Sequence, residues 1–214
     1  HPTIHGSRYP HLAQKQTFLS FHTNNRELAF VLTPLTFKEG YEQNVFAQKN
    51  NKTVRQTLAD PKYSRFTQKV IRNYTASLDT PLGEFLLQLK TDANPFYKEF
   101  LNPNGDGKYA VFTFNDPRYI HAKGLYTFLV DGQVKYIGRS LDSFGKRINQ
   151  GYGKIHPKNC YLDGQSTNCH LNALISRYRD RVTLFVCPLT DDKEIEYLEK
   201  ILIQKHRPEW NIAK

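Results

Sequence analysis

Two apolar runs, 124–130 and 133–138, stand back to back with only Asp131-Gly132 between them. Runs rich in Val, Ile, Tyr and Phe that flank a short Gly-containing turn form a β-hairpin. Strand side chains alternate between faces, so the turn decides which residues of the two runs share a surface. A two-residue turn of the I′ type pairs Val130 with Gln133, sets Tyr126 against Ile137 and sends Tyr136 to the other face. A three-residue loop with Gly132 in the left-handed conformation and a bulge pairs Leu129 with Gln133 and sets Tyr126 against Tyr136.

The hairpin opens a compact α+β unit. After it the patterns predict a helix over 141–149, a long irregular stretch, a helix over 167–179, a strand over 181–187 and a helix over 191–205. Upstream, residues 1–25 read as an irregular arm and 28–32 as a strand. Asp60-Pro61 starts a helix over 62–78, on which Phe66, Val70, Tyr74 and Leu78 recur at four-residue steps. Arg65, Lys69 and Arg72 line its other flank as a solvated basic face. Thr80-Pro81 opens a helix through Leu89, residues 95–101 form a third, and 109–114 read as a strand after the turn cluster Asn102–Gly107. The expected organisation is a mainly helical N-terminal region, 1–118, and a C-terminal domain, 119–214, built on a small sheet flanked by helices.

The 214 residues carry a net charge of +10, shared between the two halves, a field that attracts polyanions such as nucleic acid. No apolar run approaches the ~18 residues of a membrane span. Three cysteines make no disulfide framework and suit a reducing compartment, so a cytoplasmic location is expected. The sequence lacks Met and begins at His1-Pro2, which implies a lost initiator, and no stretch reads as an apolar signal segment.

Gly124-Leu125-Tyr126 and, nine residues on, Tyr136-Ile137-Gly138 resemble the paired signature of the GIY-YIG nuclease superfamily, with Leu in place of the first Ile. Further positions agree. Arg147 follows Gly138 by nine residues, on a helix that Ser140 or Asp142 can cap, where the family carries an Arg. Tyr152 stands where the family often has a His or Tyr about a turn later, with His156 further along. Glu199 leads to Pro208 and, twelve residues on, to Asn211, as the family's catalytic Glu leads to its Pro and Asn. With Ile195 at 0° on a helical wheel, Leu202, Leu198 and Glu199 fall at about −20°, −60° and +40°. Glu199 therefore borders the buried stripe, where a carboxylate needs a partner, unlike Glu194 and Glu196. The resemblance covers 124–211; residues 1–118 match no known pattern, and 154–167 reads as an insertion at the DNA face.

The resemblance implies a phosphodiester hydrolase that acts on double-stranded DNA with one divalent cation, Mg2+, held by Glu199. Tyr126 is then the general base, Tyr136 orients water or phosphate, Arg147 clamps the phosphate, Asn211 braces the site and Tyr152 supports it. Because a free phenol titrates near pH 10, Tyr126 needs positive charge nearby, from Arg147 and the metal, to act at neutral pH. Both tyrosines must share one face, which selects the three-residue bulged turn; Lys135 then points away from the site. The N-terminal region would grip DNA or build a homodimer. A site-specific restriction endonuclease is the first expectation, with a homing or repair nuclease, or a catalytically dead DNA-binding protein, as alternatives. Cys160, Cys169, His156 and His170 lack the paired Cys-x-x-Cys spacing of a zinc site, and Cys169 and His170 lie about 100° apart on one helix. These thiols, and Cys187, are expected to be inert.

Overall fold

Residues 16–211 are described by a computed structural model. Five strands pair antiparallel in the spatial order Phe18–His22 (β1), Glu27–Thr33 (β2), Val182–Pro188 (β7), Gly124–Val130 (β5) and Gln133–Ser140 (β6). A separate ribbon joins Thr36–Phe37 (β3) to Phe112–Thr113 (β4). The helices are Val54–Leu58 (α1), Thr67–Asn73 (α2), Leu82–Thr91 (α3), Ser166–Arg177 (α4) and Asp192–His206 (α5), with short 3-10 turns between them. The α+β class expected from the patterns is the one observed.

Every residue of β5 is buried because both faces of the sheet are covered. On one face Tyr126, Phe128 and Val130 pack against Phe144, Ile148, Tyr152, Leu171 and Ile175. On the other, Leu125, Leu129 and Ile137 meet Ile195, Leu198 and Leu202 of α5 together with Phe21, Leu28 and Phe30. The three α5 side chains, each at least 96% buried, contribute about 1.5–3 kcal/mol apiece. Asp191 caps α5 by accepting from the Glu194 amide at 2.8 Å, which fixes where the helix starts.

Strands from both sides of the expected boundary share this sheet. β2 pairs with β7, Val31 against Val186, because its alternating Leu28 and Phe30 need the apolar cover that α5 provides. A division at 118 therefore cuts through one sheet. Residues 1–15 of the expected arm lie outside the described residues, and the arm's remainder supplies β1. The helix expected over 62–78 is broken: α2 ends at Asn73, where the Tyr74 backbone leaves helical geometry and its phenol accepts from Asn94 Nδ2 at 2.7 Å. Phe66, Val70 and Leu78 are still buried, as their spacing required. The strand expected over 109–114 shrinks to β4 and an isolated Tyr109–Glu42 bridge.

The helical region has its own core around Phe46, Phe66, Leu86 and Phe100, and the 154–167 segment is docked into it through Ile155, Cys160 and Tyr161. Tyr161 Oη donates to the Phe46 carbonyl at 2.7 Å, and Tyr63 Oη donates to Asp163 at 2.5 Å. The N-terminal region thus acts as the buttress of this segment.

Gly124 has φ +144°, and a Cβ there would lie 2.1 Å from the Cys187 carbonyl oxygen on β7. Gly124→Ala should therefore lower unfolding stability by at least about 2 kcal/mol in urea denaturation, from backbone strain and overpacking together. A loss below about 0.5 kcal/mol would contradict this account.

Candidate active site

The turn is the two-residue form. Asp131 and Gly132 have φ 50° and 79°, and Val130 pairs with Gln133, so the three-residue bulged loop expected from the sequence does not form. Alone, this turn would put Tyr126 and Tyr136 on opposite faces. The bulge lies instead within β6: Leu129 pairs with Val134 and Phe128 with Tyr136, which leaves Lys135 as the extra residue. One inserted residue restores the parity, and Tyr126, opposite Gly138, shares a face with Tyr136. The bulged carbonyl of Lys135 accepts from the Trp210 amide at 2.8 Å, while its ammonium pairs with Glu209 at 2.8 Å, away from the tyrosines as expected. The rings of Tyr126 and Tyr136 lie 6.1 Å apart. Gly138 makes this approach feasible, since a Cβ there would come within 2.6 Å of the Tyr126 phenol.

After β6 the chain turns into a short helix. Its cap is Ser143, whose hydroxyl accepts from the Lys146 amide at 3.1 Å; Ser140 supports Ser143 and Asp142 pairs with Lys146, so neither of the expected caps serves. Over Lys146–Tyr152 the helix widens to π geometry, with the Gly153 amide reaching the Ile148 carbonyl at 2.7 Å. In an α-helix Arg147 and Tyr152 would point about 140° apart; π geometry stacks residues five apart. The Arg147 guanidinium accordingly lies 4.8 Å from the Tyr152 ring centre, and its Nε donates to Tyr126 Oη at 3.4 Å. Tyr152 Oη hydrogen bonds with Tyr126 Oη at 2.6 Å and lies 3.5 Å from Tyr136 Oη.

Burial governs the charges of this cluster. Desolvation pushes the phenols of Tyr126, Tyr136 and Tyr152 well above their ordinary range, and the opposing pull of Arg147 on each is smaller. Burial acts to lower the Arg147 pKa, but the surrounding phenols outweigh it and hold the guanidinium firmly protonated. In the free protein Tyr126 is therefore a neutral phenol, and Arg147 alone does not poise it as a phenolate.

Glu199 arrives from the opposite face of the sheet. α5 packs on the Leu125 and Ile137 side, and Glu199 sits at the border of its buried stripe with 18% of its side chain exposed. Its Oε1 accepts from Arg139 Nη1 at 3.0 Å. Its negative charge raises the Tyr136 pKa, so the two groups feel each other around the free edge of β6. Of the comparison carboxylates, Glu194 pairs with Arg26 and Glu196 is exposed. Asn211 binds the Ile137 backbone in both directions: its Oδ1 accepts from the amide at 3.0 Å and its Nδ2 donates to the carbonyl at 2.8 Å.

Tyr126, Tyr136, Arg147, Glu199 and Asn211 all line one cleft of about 1780 Å3, whose other wall is formed by the 156–170 segment. Tyr126 and Tyr152 are both fully buried, and Tyr152 supports the phenols from within. Sequence reasoning missed Arg139. It directly follows Gly138, and strand alternation past the bulge puts it on the α5 face, but its meeting with Glu199 depends on helix docking.

Among the described residues no group of three His, Cys, Asp or Glu side chains is placed to cage a metal. Four carboxylates line the cleft, Asp142, Asp163, Glu196 and Glu199, and one or two of them would suit Mg2+, which keeps several waters and takes further ligands from phosphate. Cys160, Cys169 and Cys187 are free and buried. Cys169 donates to the Asn159 carbonyl at 3.4 Å, and His156 accepts from the Lys158 amide at 3.2 Å to cap the turn 157–160. Among the described residues no helix is long and apolar enough to cross a membrane. Comparison with known protein families, curated proteins and solved structures gives no match.

Two outcomes follow. Asn211→Ala should cost about 1–3 kcal/mol in chemical denaturation, because it strips two hydrogen bonds from the Ile137 backbone. The three phenols have folded pKa values raised above the unfolded value near 10, so their stabilisation is complete below about pH 10 and is lost as pH rises toward the folded values. Stability measured from pH 8 upward should fall above about pH 10, and less steeply in Tyr126→Phe; equal slopes would contradict this assignment.

Proposed function

We propose that this protein is a metal-dependent DNA endonuclease of GIY-YIG type. The observation that carries the reading is the convergence of Tyr126, Tyr136, Arg147, Glu199 and Asn211, remote in sequence, on a single cleft.

In this reading Glu199 would hold Mg2+, which would supply positive charge to the scissile phosphate and to the leaving oxygen. Arg147 is charged at every working pH and offers its remaining donors to phosphate oxygens. Tyr136, the less buried of the two motif phenols, orients the phosphate or the attacking water. Tyr126 receives the proton of that water. Because burial keeps Tyr126 neutral, it gives up its own proton as it takes the water's, through the 2.6 Å contact to Tyr152 and the 3.5 Å step to Tyr136, and Tyr136, which lines the cleft, releases a proton to solvent water there. Asn211 holds the Ile137 backbone still and thereby fixes the strand that carries Tyr136.

The net charge of +10 favours a polyanionic substrate. The 154–167 segment, buttressed by the N-terminal core, extends the cleft wall beyond the catalytic groups, which suits contact with a longer stretch of duplex. Site-specific cleavage of restriction type fits this arrangement, and a homodimer would let two clefts act on the two strands. Buried free thiols suit the reducing cytoplasm.

The test is nicking of supercoiled plasmid with and without Mg2+. The wild type should convert plasmid to open or linear forms only with the metal, and Tyr126→Phe, Arg147→Ala and Glu199→Gln should each lose about 100-fold or more with folding intact. No nicking at any Mg2+ concentration would leave a DNA-binding protein without catalysis.

A further inference from the structure

We propose that Arg139 is a positioning residue that holds the Glu199 carboxylate in the place of a divalent cation and yields it when the cation binds. The inference rests on the nuclease reading and adds a competitor to its metal site.

Three observations support it. The Arg139 Nη1 to Glu199 Oε1 contact of 3.0 Å sets a full positive charge at one of the two oxygens a carboxylate-bound cation would use. A carboxylate this far withdrawn from water is costly without a counter-charge, and the ion pair supplies one at the cleft. The two partners are also unequally exposed: the Arg139 side chain is 41% accessible and that of Glu199 18%. The guanidinium is thus the partner that can leave, whereas the carboxylate is fixed by α5.

Position adds to this. Arg139 lies on β6 directly after Gly138, and it lines the same cleft as Arg147. On release from Glu199 the guanidinium stays in the cleft, where substrate phosphate is the next acceptor. The other ion pairs of α5, Lys123 with Asp192 and Arg26 with Glu194, involve Lys123 and Arg26, which do not line the cleft.

The competition can be read without catalysis. A cation that binds only the folded protein raises its thermal midpoint, so titration of the full chain with MgCl2 in the absence of DNA reports occupancy of the site. Glu199→Gln should abolish the rise. Arg139→Gln, which removes the competitor, should reach half of the full rise at about two- to fivefold less Mg2+ than the wild type, the range that a partly exposed ion pair can supply. Arg139→Lys, which keeps a charge but loses the fork, should fall between the two and serves if Arg139→Gln does not fold. An unchanged or higher Mg2+ requirement in these variants, with plasmid nicking by the wild type intact, overturns the role of Arg139 alone. No Mg2+ response and no nicking in the wild type overturns it together with the nuclease reading.

Discussion

The extra residue at Lys135 decides the geometry of the whole site. The tight turn at Asp131-Gly132 fixes a register in which the two motif tyrosines would look in opposite directions. A bulge corrects it by one residue, and the bulged carbonyl is satisfied by the Trp210 amide. The segment after α5 therefore does more than end the fold. Its backbone and the Asn211 side chain hold three polar groups of β6, and without them the strand carrying Tyr136 would have a bulge with an unpaired carbonyl.

The site sets burial against charge at close range. Three phenols lie in a dry cluster with one guanidinium, and desolvation prevails, so the cluster is neutral apart from Arg147. Glu199 comes from the other side of the sheet and is matched by a second guanidinium, Arg139. This separation keeps Glu199 from pairing with Arg147, and each arginine has its own contact, Arg147 with Tyr126 and Arg139 with Glu199.

What could be read from the sequence is what local spacing controls. The stripe Ile195, Leu198 and Leu202 and the border position of Glu199 follow from one helix's periodicity, and each is found as expected. The hairpin strands were equally legible. The bulge was not, because its position depends on Trp210 reaching Lys135 across the fold. The π-widening over Lys146–Tyr152, which turns Arg147 toward Tyr152, leaves no periodic signal of its own. Arg139 was missed for a related reason: its partner is set by the packing of α5. The membership of β1 and β2 in the sheet depends on an apolar cover supplied by residues at the other end of the chain.

The two margins of the sheet are left in different states. Along β6 the outward groups of Ile137 and Lys135 are already engaged, so a foreign strand cannot add there without displacing Asn211 and Trp210. At the other margin, among the described residues, β1 pairs with β2 alone, and its Phe18 is 63% exposed. Templated growth, whether into an ordered assembly or an aggregate, would begin at β1, at the margin opposite β6.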